Sequence, residues 1–198
     1  MRALGRVLGR TYWRLRYSGV ENIPASDGRG LLIASNHQTY LDPYWICLPI
    51  YRDFRFMAWD EALDWFLVGR LIRRLGAYPI SLDGTSVSSM KESLRILREG
   101  WTLVVFPEGS RTFKDGKMLR FKAGAARLAI QAGVPILPVT ITGGNRIWPR
   151  GGYIPHPGKV RITYHPVIET KDFLIGEDQR ERASELTKAL EETIASAL

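Results

Sequence analysis

Short apolar runs that alternate with helical stretches narrow the fold of this chain more than any other feature. Runs of strand length occur at 30–35, 54–58, 76–80, 101–106, 135–142 and 159–164. Between them, helical spacing covers 42–51, 60–74, 85–98 (opened by Thr85 or Ser86) and 122–132, the last closed by Gly133. Residues 177–198 form a closing helix with Leu186, Leu190 and Ile194 on one face. This alternation predicts a single α/β domain with a mixed, largely parallel sheet flanked by helices. Residues 143–158, rich in glycine and proline, read as a loop. Pro135 and Pro138 inside an apolar strand predict a sheet edge or a bulge.

Ahead of the first strand, residues 2–16 read as a helix. Leu4, Val7, Leu8, Thr11, Tyr12 and Leu15 share one face, and Arg2, Arg6, Arg10 and Arg14 form a second row. Two readings stand: a solvated arm packed on the domain, or an interfacial helix with its arginines at anionic headgroups. The simplest partition is an arm at 1–18 and an α/β domain at 19–198. Lys and Arg total 28 against 20 Asp and Glu, a net charge of +8. That balance suits an anionic partner. No helix-turn-helix, zinc-finger or RNA-binding pattern is present, so nucleic acid is not an expected partner. No stretch approaches the roughly 18 apolar residues of a membrane span, and the N-terminal arginines leave no secretory core. The expectation is a protein on the cytoplasmic face of a membrane, monotopic or peripheral. Cys47 is the only cysteine, so no intrachain disulfide forms.

The first chemical signal follows the first apolar run: Asn36-His37, then Asp42 five residues after the histidine. In α/β sheets, sites gather at the carboxyl ends of strands. A neutral imidazole accepts a proton at physiological pH. Asp42 could take a hydrogen bond from one ring nitrogen and leave the other facing a substrate hydroxyl. General-base assistance of this kind is worth roughly 10²–10⁴ in rate. The same spacing also suits a histidine that merely caps a helix. The three histidines and one cysteine lack metal-ligand spacing, so no metal is expected. No Gly-x-Ser-x-Gly elbow supports a serine nucleophile.

The second signal is Phe106-Pro-Glu108-Gly109-Ser110-Arg111-Thr112, at the end of the strongest strand. Gly109 permits a tight turn, and Arg111 can hold an oxyanion or phosphate by forked hydrogen bonds. The alternative is a solvated basic turn with a Glu108–Arg111 surface pair. The third signal is Val134-Pro135-Ile136-Leu137-Pro138-Val139. It reads either as a core strand or as an apolar wall for an acyl chain.

In this order, the segments resemble the lysophospholipid acyltransferase family, typified by 1-acylglycerol-3-phosphate acyltransferase. Asn36, His37 and Asp42 match its Asn-His-x4-Asp block. Phe106 to Thr112 match Phe-Pro-Glu-Gly-Thr-Arg-Ser with two Ser/Thr exchanges, and Val134 to Val139 match Val-Pro-Ile-x-Pro-Val. Phe121, Lys122 and Gly124 match a Phe-Lys-x-Gly block. The resemblance implies a general base at His37, oriented by Asp42, with Asn36 and Lys122 in support. It implies that Glu108, Gly109, Ser110 and Arg111 bind the acceptor, with Arg111 on its phosphate. Val134, Pro135, Ile136 and Pro138 would shape the acyl or donor site. The donor would be acyl-coenzyme A or acyl-carrier protein as co-substrate, with no cofactor, and an anionic membrane surface would be a partner.

One block departs from the family pattern. Where Gly-x-x-Phe-Ile-x-Arg is common, this chain has Gly76-Ala-Tyr-Pro-Ile-Ser-Leu82. Leu82 stands in place of an arginine of the phosphate site. An acceptor without a phosphate monoester, such as a lyso-ornithine lipid, is therefore an alternative to lysophosphatidic acid. A basic membrane-binding module without catalysis is a further one.

Overall fold

The computed structural model describes residues 2–59, 77–80, 87–152, 154–173 and 178–198. The expected helix at 60–74, the opener at 85 or 86, and Leu82 lie outside these residues. The described strands are β1 (Arg16–Ser18), β2 (Leu31–Ser35), β3 (Phe54–Trp59), β4 (Ala77–Ile80), β5 (Thr102–Val105), β6 (Ile136–Thr142) and β7 (Arg161–Tyr164). They form one sheet in the order β1-β7-β6-β2-β5-β3-β4. Only β6–β7 is antiparallel; the other pairs are parallel. The sheet is mixed and largely parallel, as the alternation predicts.

The helices are α1 (Arg2–Thr11), α2 (Asp42–Cys47), α3 (Val87–Arg98), α4 (Gly124–Ala132), α5 (Gly144–Ile147) and α6 (Gln179–Ala195). Strand β2 is buried along its whole length, and alternate residues feed opposite core layers. Leu31 and Ile33 pack with Trp45 and Ile46 of α2. Leu32 and Ala34 pack with Ala125, Ala126 and Leu128 of α4 and with Leu186, Leu190 and Ile194 of α6. Gly133 closes α4 in the left-handed conformation and returns its N–H to Ala129 and Ile130.

Connectivity places the crevice. Strands β2 and β5 are neighbours. The chain leaving β2 passes through α2 to β3, beyond β5, while the chain leaving β5 passes through α4 to β6, beyond β2. Helices α2 and α4 belong to opposite core layers. The connections thus diverge at the carboxyl ends of β2 and β5, the switch point where α/β sheets bind ligands.

Two expectations need correction, and one open alternative is decided. The N-terminal helix ends at Thr11; Arg14 then takes a left-handed φ of 42°, and residues 16–18 join the sheet beside β7. The boundary expected at residue 18 therefore falls inside the domain. The expected loop at 143–158 contains the short helix α5. Strand β6 is not an edge, because β2 and β7 flank it. Its irregularity lies on the β7 side. Val139 pairs with Tyr164 and Ile136 bridges Ile168, so the facing chain carries one extra residue beside Pro138. Pro138 still accepts the His165 N–H through its carbonyl.

Candidate active site

His37 and the 106–112 turn meet at the switch point. The His37 N–H donates to Glu108 Oε1 at 2.7 Å, and the His37 carbonyl accepts the Thr112 N–H at 2.8 Å. The imidazole stacks on Phe106, with ring centroids 3.9 Å apart and planes 15° apart. Backbone and ring are thus both held by the segment that follows β5.

Asn36 secures the other side. Buried, it donates from Nδ2 to the Ile141 carbonyl at 2.9 Å and accepts the Ile141 N–H at 2.7 Å. This amide extends the β2–β6 ladder past the end of β2 and sets the plane from which His37 projects.

His37 Nδ1 lies 2.8 Å from Asp42 Oδ2. Asp42 is fully buried, and Oδ2 also accepts the N–H groups of Gln38 at 2.6 Å and Thr39 at 2.8 Å. Its Oδ1 accepts the Thr39 hydroxyl at 2.9 Å. A carboxylate so surrounded by donors offers Nδ1 an acceptor, which assigns the Nδ1–H tautomer and leaves the Nε2 lone pair free of that bond. The His37 side chain keeps 18% of its surface exposed. The pair can take a proton from an approaching hydroxyl.

Glu108 departs from its expected role. It is 4% exposed, and both carboxyl oxygens face inward, Oε1 to the His37 N–H and Oε2 to the Leu119 N–H at 2.7 Å. It clamps two loops together instead of reaching toward an acceptor, and it forms no ion pair with Arg111. Burial pushes its carboxyl up to about 7, outweighing the two backbone donors that favour the charged form; Asp42 and Glu191 add to the rise.

Arg111 lies over Tyr40, its guanidinium carbon 3.6 Å from the ring centroid. Its buried Nη1 has no hydrogen-bond partner. Burial lowers its pKa, and the nearby charge of Arg150 lowers it further. Arg150 donates from Nη1 to the Arg111 carbonyl at 3.4 Å and packs over Phe113. Two guanidiniums converge on one rim, and a buried donor without a partner on one of them fits an anion.

Gly109 has φ +73°, and a Cβ there would lie 2.8 Å from Lys122 Nζ, so the turn requires glycine and brings the Lys122 amine against it. Ser110 is half-buried on the same turn. The 134–139 block lies elsewhere. Val134 and Ile136 are buried in the layer of α4 and α6, and Ile136 pairs with Leu32 at the amino end of β2. Pro135 precedes the strand, and Pro138 sits level with Ala34 inside the sheet. These residues shape the core rather than form a wall beside His37.

Tyr40, Gln38 and Arg150 are additions to the expected set. The first two stand between His37 and Asp42, where the motif's variable positions hide them. Arg150 lies in a Gly/Pro-rich loop with no pattern to mark it. Among the described residues, no group of three or more His, Cys, Asp or Glu side chains gathers as a metal ion would need.

A His–Asp pair and an arginine turn, held at the switch point of a mixed α/β sheet, set this chain among acyl-transfer folds. The chain belongs to the acyltransferase family, whose profile matches residues 14–142. It is 31% identical over 179 residues to a chloroplastic 1-acyl-sn-glycerol-3-phosphate acyltransferase of Arabidopsis thaliana, covering 88% of this chain and 49% of that protein. A 1-acyl-sn-glycerol-3-phosphate acyltransferase of Bacillus subtilis is 26% identical, with 88% and 83% covered. The crystal structure of the 1-acyl-sn-glycerophosphate acyltransferase PlsC of Thermotoga maritima superposes with a TM-score of 0.70 at 32% identity, covering 90% of this chain and 71% of that one. The chain spans about half the length of the Arabidopsis relative.

Proposed function

We propose that this protein transfers a fatty acyl group from acyl-coenzyme A or acyl-carrier protein to the free hydroxyl of 1-acylglycerol-3-phosphate, yielding phosphatidic acid. The observation that carries this reading is the 2.8 Å contact of His37 Nδ1 with the buried Asp42 carboxylate, beside the unmet donor of Arg111. His37 Nε2 takes the hydroxyl proton as the hydroxyl oxygen attacks the thioester carbonyl carbon. The C–S bond then breaks, and the imidazolium returns the proton to the departing thiolate. One ester and one thiol result. The thioester is already activated, so no enzyme nucleophile is required. Asp42 holds the ring in its tautomer and stabilises the imidazolium.

Arg111 and Arg150 bind the acceptor phosphate in this reading, and Lys122 adds charge at the Gly109 turn. Arg150 supplies the second guanidinium that Leu82 cannot. The competing acceptor, a lipid without a phosphate monoester, rests on Leu82 alone; the convergence of Arg111 and Arg150 favours the phosphate. The enzyme works at the membrane surface, on the cytoplasmic face. Among the described residues no helix is long and apolar enough to cross a membrane. Exposed Val7 and Leu8 on α1, with Arg10 beside them and exposed Tyr12 just past its end, suit the interfacial alternative for this helix.

Purified protein incubated with acyl-coenzyme A and a panel of lysolipids tests the reading. Thiol release that depends on lysophosphatidic acid, with phosphatidic acid as the product by mass spectrometry, is expected. Equal turnover of lysolipids lacking the monoester would shift the assignment to the alternative acceptor.

A further inference from the structure

A second concavity lies on the same rim of the sheet, beyond β6. Strand β7 runs antiparallel to β6, and Thr142 pairs with Arg161; Arg16 of β1 pairs with Arg161 in turn. The starts of β1 and β7 therefore meet the end of β6, on the rim that carries His37. The cleft there has a volume of about 850 Å³. Arg14, Arg16, Lys159 and Arg161 line it on the β1–β7 side, and Lys117 and Arg146 line the opposite side. Asp115 is the single acidic side chain in the lining. All six cations are exposed, and no carboxylate among the described residues lies within ion-pair distance of any of them. Six cations against one acidic side chain around one concavity leave a strong excess of positive charge and create a site for a multiply charged anion.

Gln38 connects the cleft to the candidate active site. It lines the cleft and directly follows His37, and its Oε1 accepts the Gly144 N–H at 2.7 Å and the Asn145 N–H at 3.3 Å. The cleft and the imidazole thus meet at consecutive residues of the chain. The volume falls in the range of roughly 300–1,000 Å³ typical of cofactor-sized ligands. A bilayer would instead be met by a flat or convex surface.

We infer that the cleft lined by Arg14, Arg16, Lys117, Arg146, Lys159 and Arg161 seats the phosphorylated nucleotide end of a coenzyme A thioester, with the pantetheine arm passing Gln38 to His37. A 3′-phosphate monoester carries about −1.5 to −2 at pH 7, and the diphosphate adds further charge, which matches the cation excess. This inference rests on the acyl-transfer reading and deepens it by choosing a nucleotide donor.

Titration calorimetry with coenzyme A tests it without requiring turnover. The variant Arg16→Gln/Lys159→Gln/Arg161→Gln changes only exposed side chains, and Lys117→Gln/Arg146→Gln removes charge from the opposite side. Each is expected to weaken coenzyme A binding at least tenfold and to raise KM for acyl-coenzyme A, with KM for lysophosphatidic acid unchanged. Adenosine 3′,5′-bisphosphate is expected to compete with acyl-coenzyme A in the wild type and to lose that competition in both variants. Dephospho-coenzyme A is expected to bind more weakly than coenzyme A. Unchanged coenzyme A affinity in both variants would overturn the inference. So would a defect confined to attachment to anionic vesicles, or to acyl-carrier protein as donor. Coenzyme A binding without acyl transfer would keep the cleft and overturn the activity; acyl transfer indifferent to the cleft would do the reverse.

Discussion

Arg52 and Arg111 are guanidiniums sunk into opposite rims of one sheet, and the contrast between them separates structural charge from functional charge. At the amino rim, Arg52 donates from Nη1 to the Ala25 carbonyl at 2.7 Å, from Nη2 to the Arg29 carbonyl, and from Nε to the Thr102 hydroxyl at 3.0 Å. It ties the segment before β2 to the starts of β3 and β5. At the carboxyl rim, Arg111 lies over Tyr40 with Nη1 buried and unmet. Burial lowers the pKa of both. Arg52 recovers that cost from three acceptors within the chain; Arg111 has the Tyr40 ring beneath it but leaves Nη1 without an acceptor, a place that an anion could fill.

Variants can break or sharpen this contrast. The largest effect is expected at the carboxyl rim from Asp42→Asn, which removes the acceptor that fixes the His37 tautomer. A fall of roughly 10²–10⁴ in kcat is predicted from steady-state kinetics. Arg111→Ala should lower kcat/KM for lysophosphatidic acid about 10- to 150-fold, the equivalent of about 1.5–3 kcal/mol for one charged hydrogen-bond partner. Its thermal unfolding midpoint should move less than that of an Arg52 variant, since Nη1 donates to nothing within the chain and the contact with Tyr40 is what the fold loses.

Arg52→Met should reverse that pattern. It leaves two carbonyls and a hydroxyl without their donor, costing about 1–3 kcal/mol in denaturant unfolding. Turnover per folded molecule should stay near wild type. If Arg52→Met instead removed activity from the folded fraction, or Arg111→Ala destabilised the fold as strongly, the contrast would fail.

The smallest effect is a pH dependence at Glu108. Its folded value of about 7 lies above the ordinary 4.5. Between these values the folded chain keeps a proton that the unfolded chain has released, so stability falls as pH rises through this window. Relative to Glu108→Gln, wild-type unfolding free energy should decline from about pH 4.5 to about pH 7 and level off above it. A flat difference would mean that the two backbone donors, not burial, govern the carboxyl.

What the sequence makes legible follows the range of the interactions involved. Strands β2, β5 and β6 announce themselves as largely apolar runs, and the His37–Asp42 pair because the two residues stand five apart in the chain. Strand β1 escapes because three residues pair with a partner far along the chain, and the arginine row suggests that the helix continues through them. Pro138 leaves an edge and a bulge both open, because either dispenses with its missing N–H; the fold takes the bulge, with an extra residue on the facing chain. Glu108 misleads because a motif names a residue but not its burial. Arg150 is invisible because its approach to Arg111 is made by folding alone.

Acyl transfer by this site requires Nε2 of His37 to accept the proton of the acceptor hydroxyl. Single-turnover acyl transfer from acyl-coenzyme A to lysophosphatidic acid, measured for His37→Gln against wild type, tests this most directly. A rate lower by roughly 10²–10⁴, with the unfolding midpoint retained, is the predicted result. A variant that transfers acyl groups at the wild-type rate would contradict it.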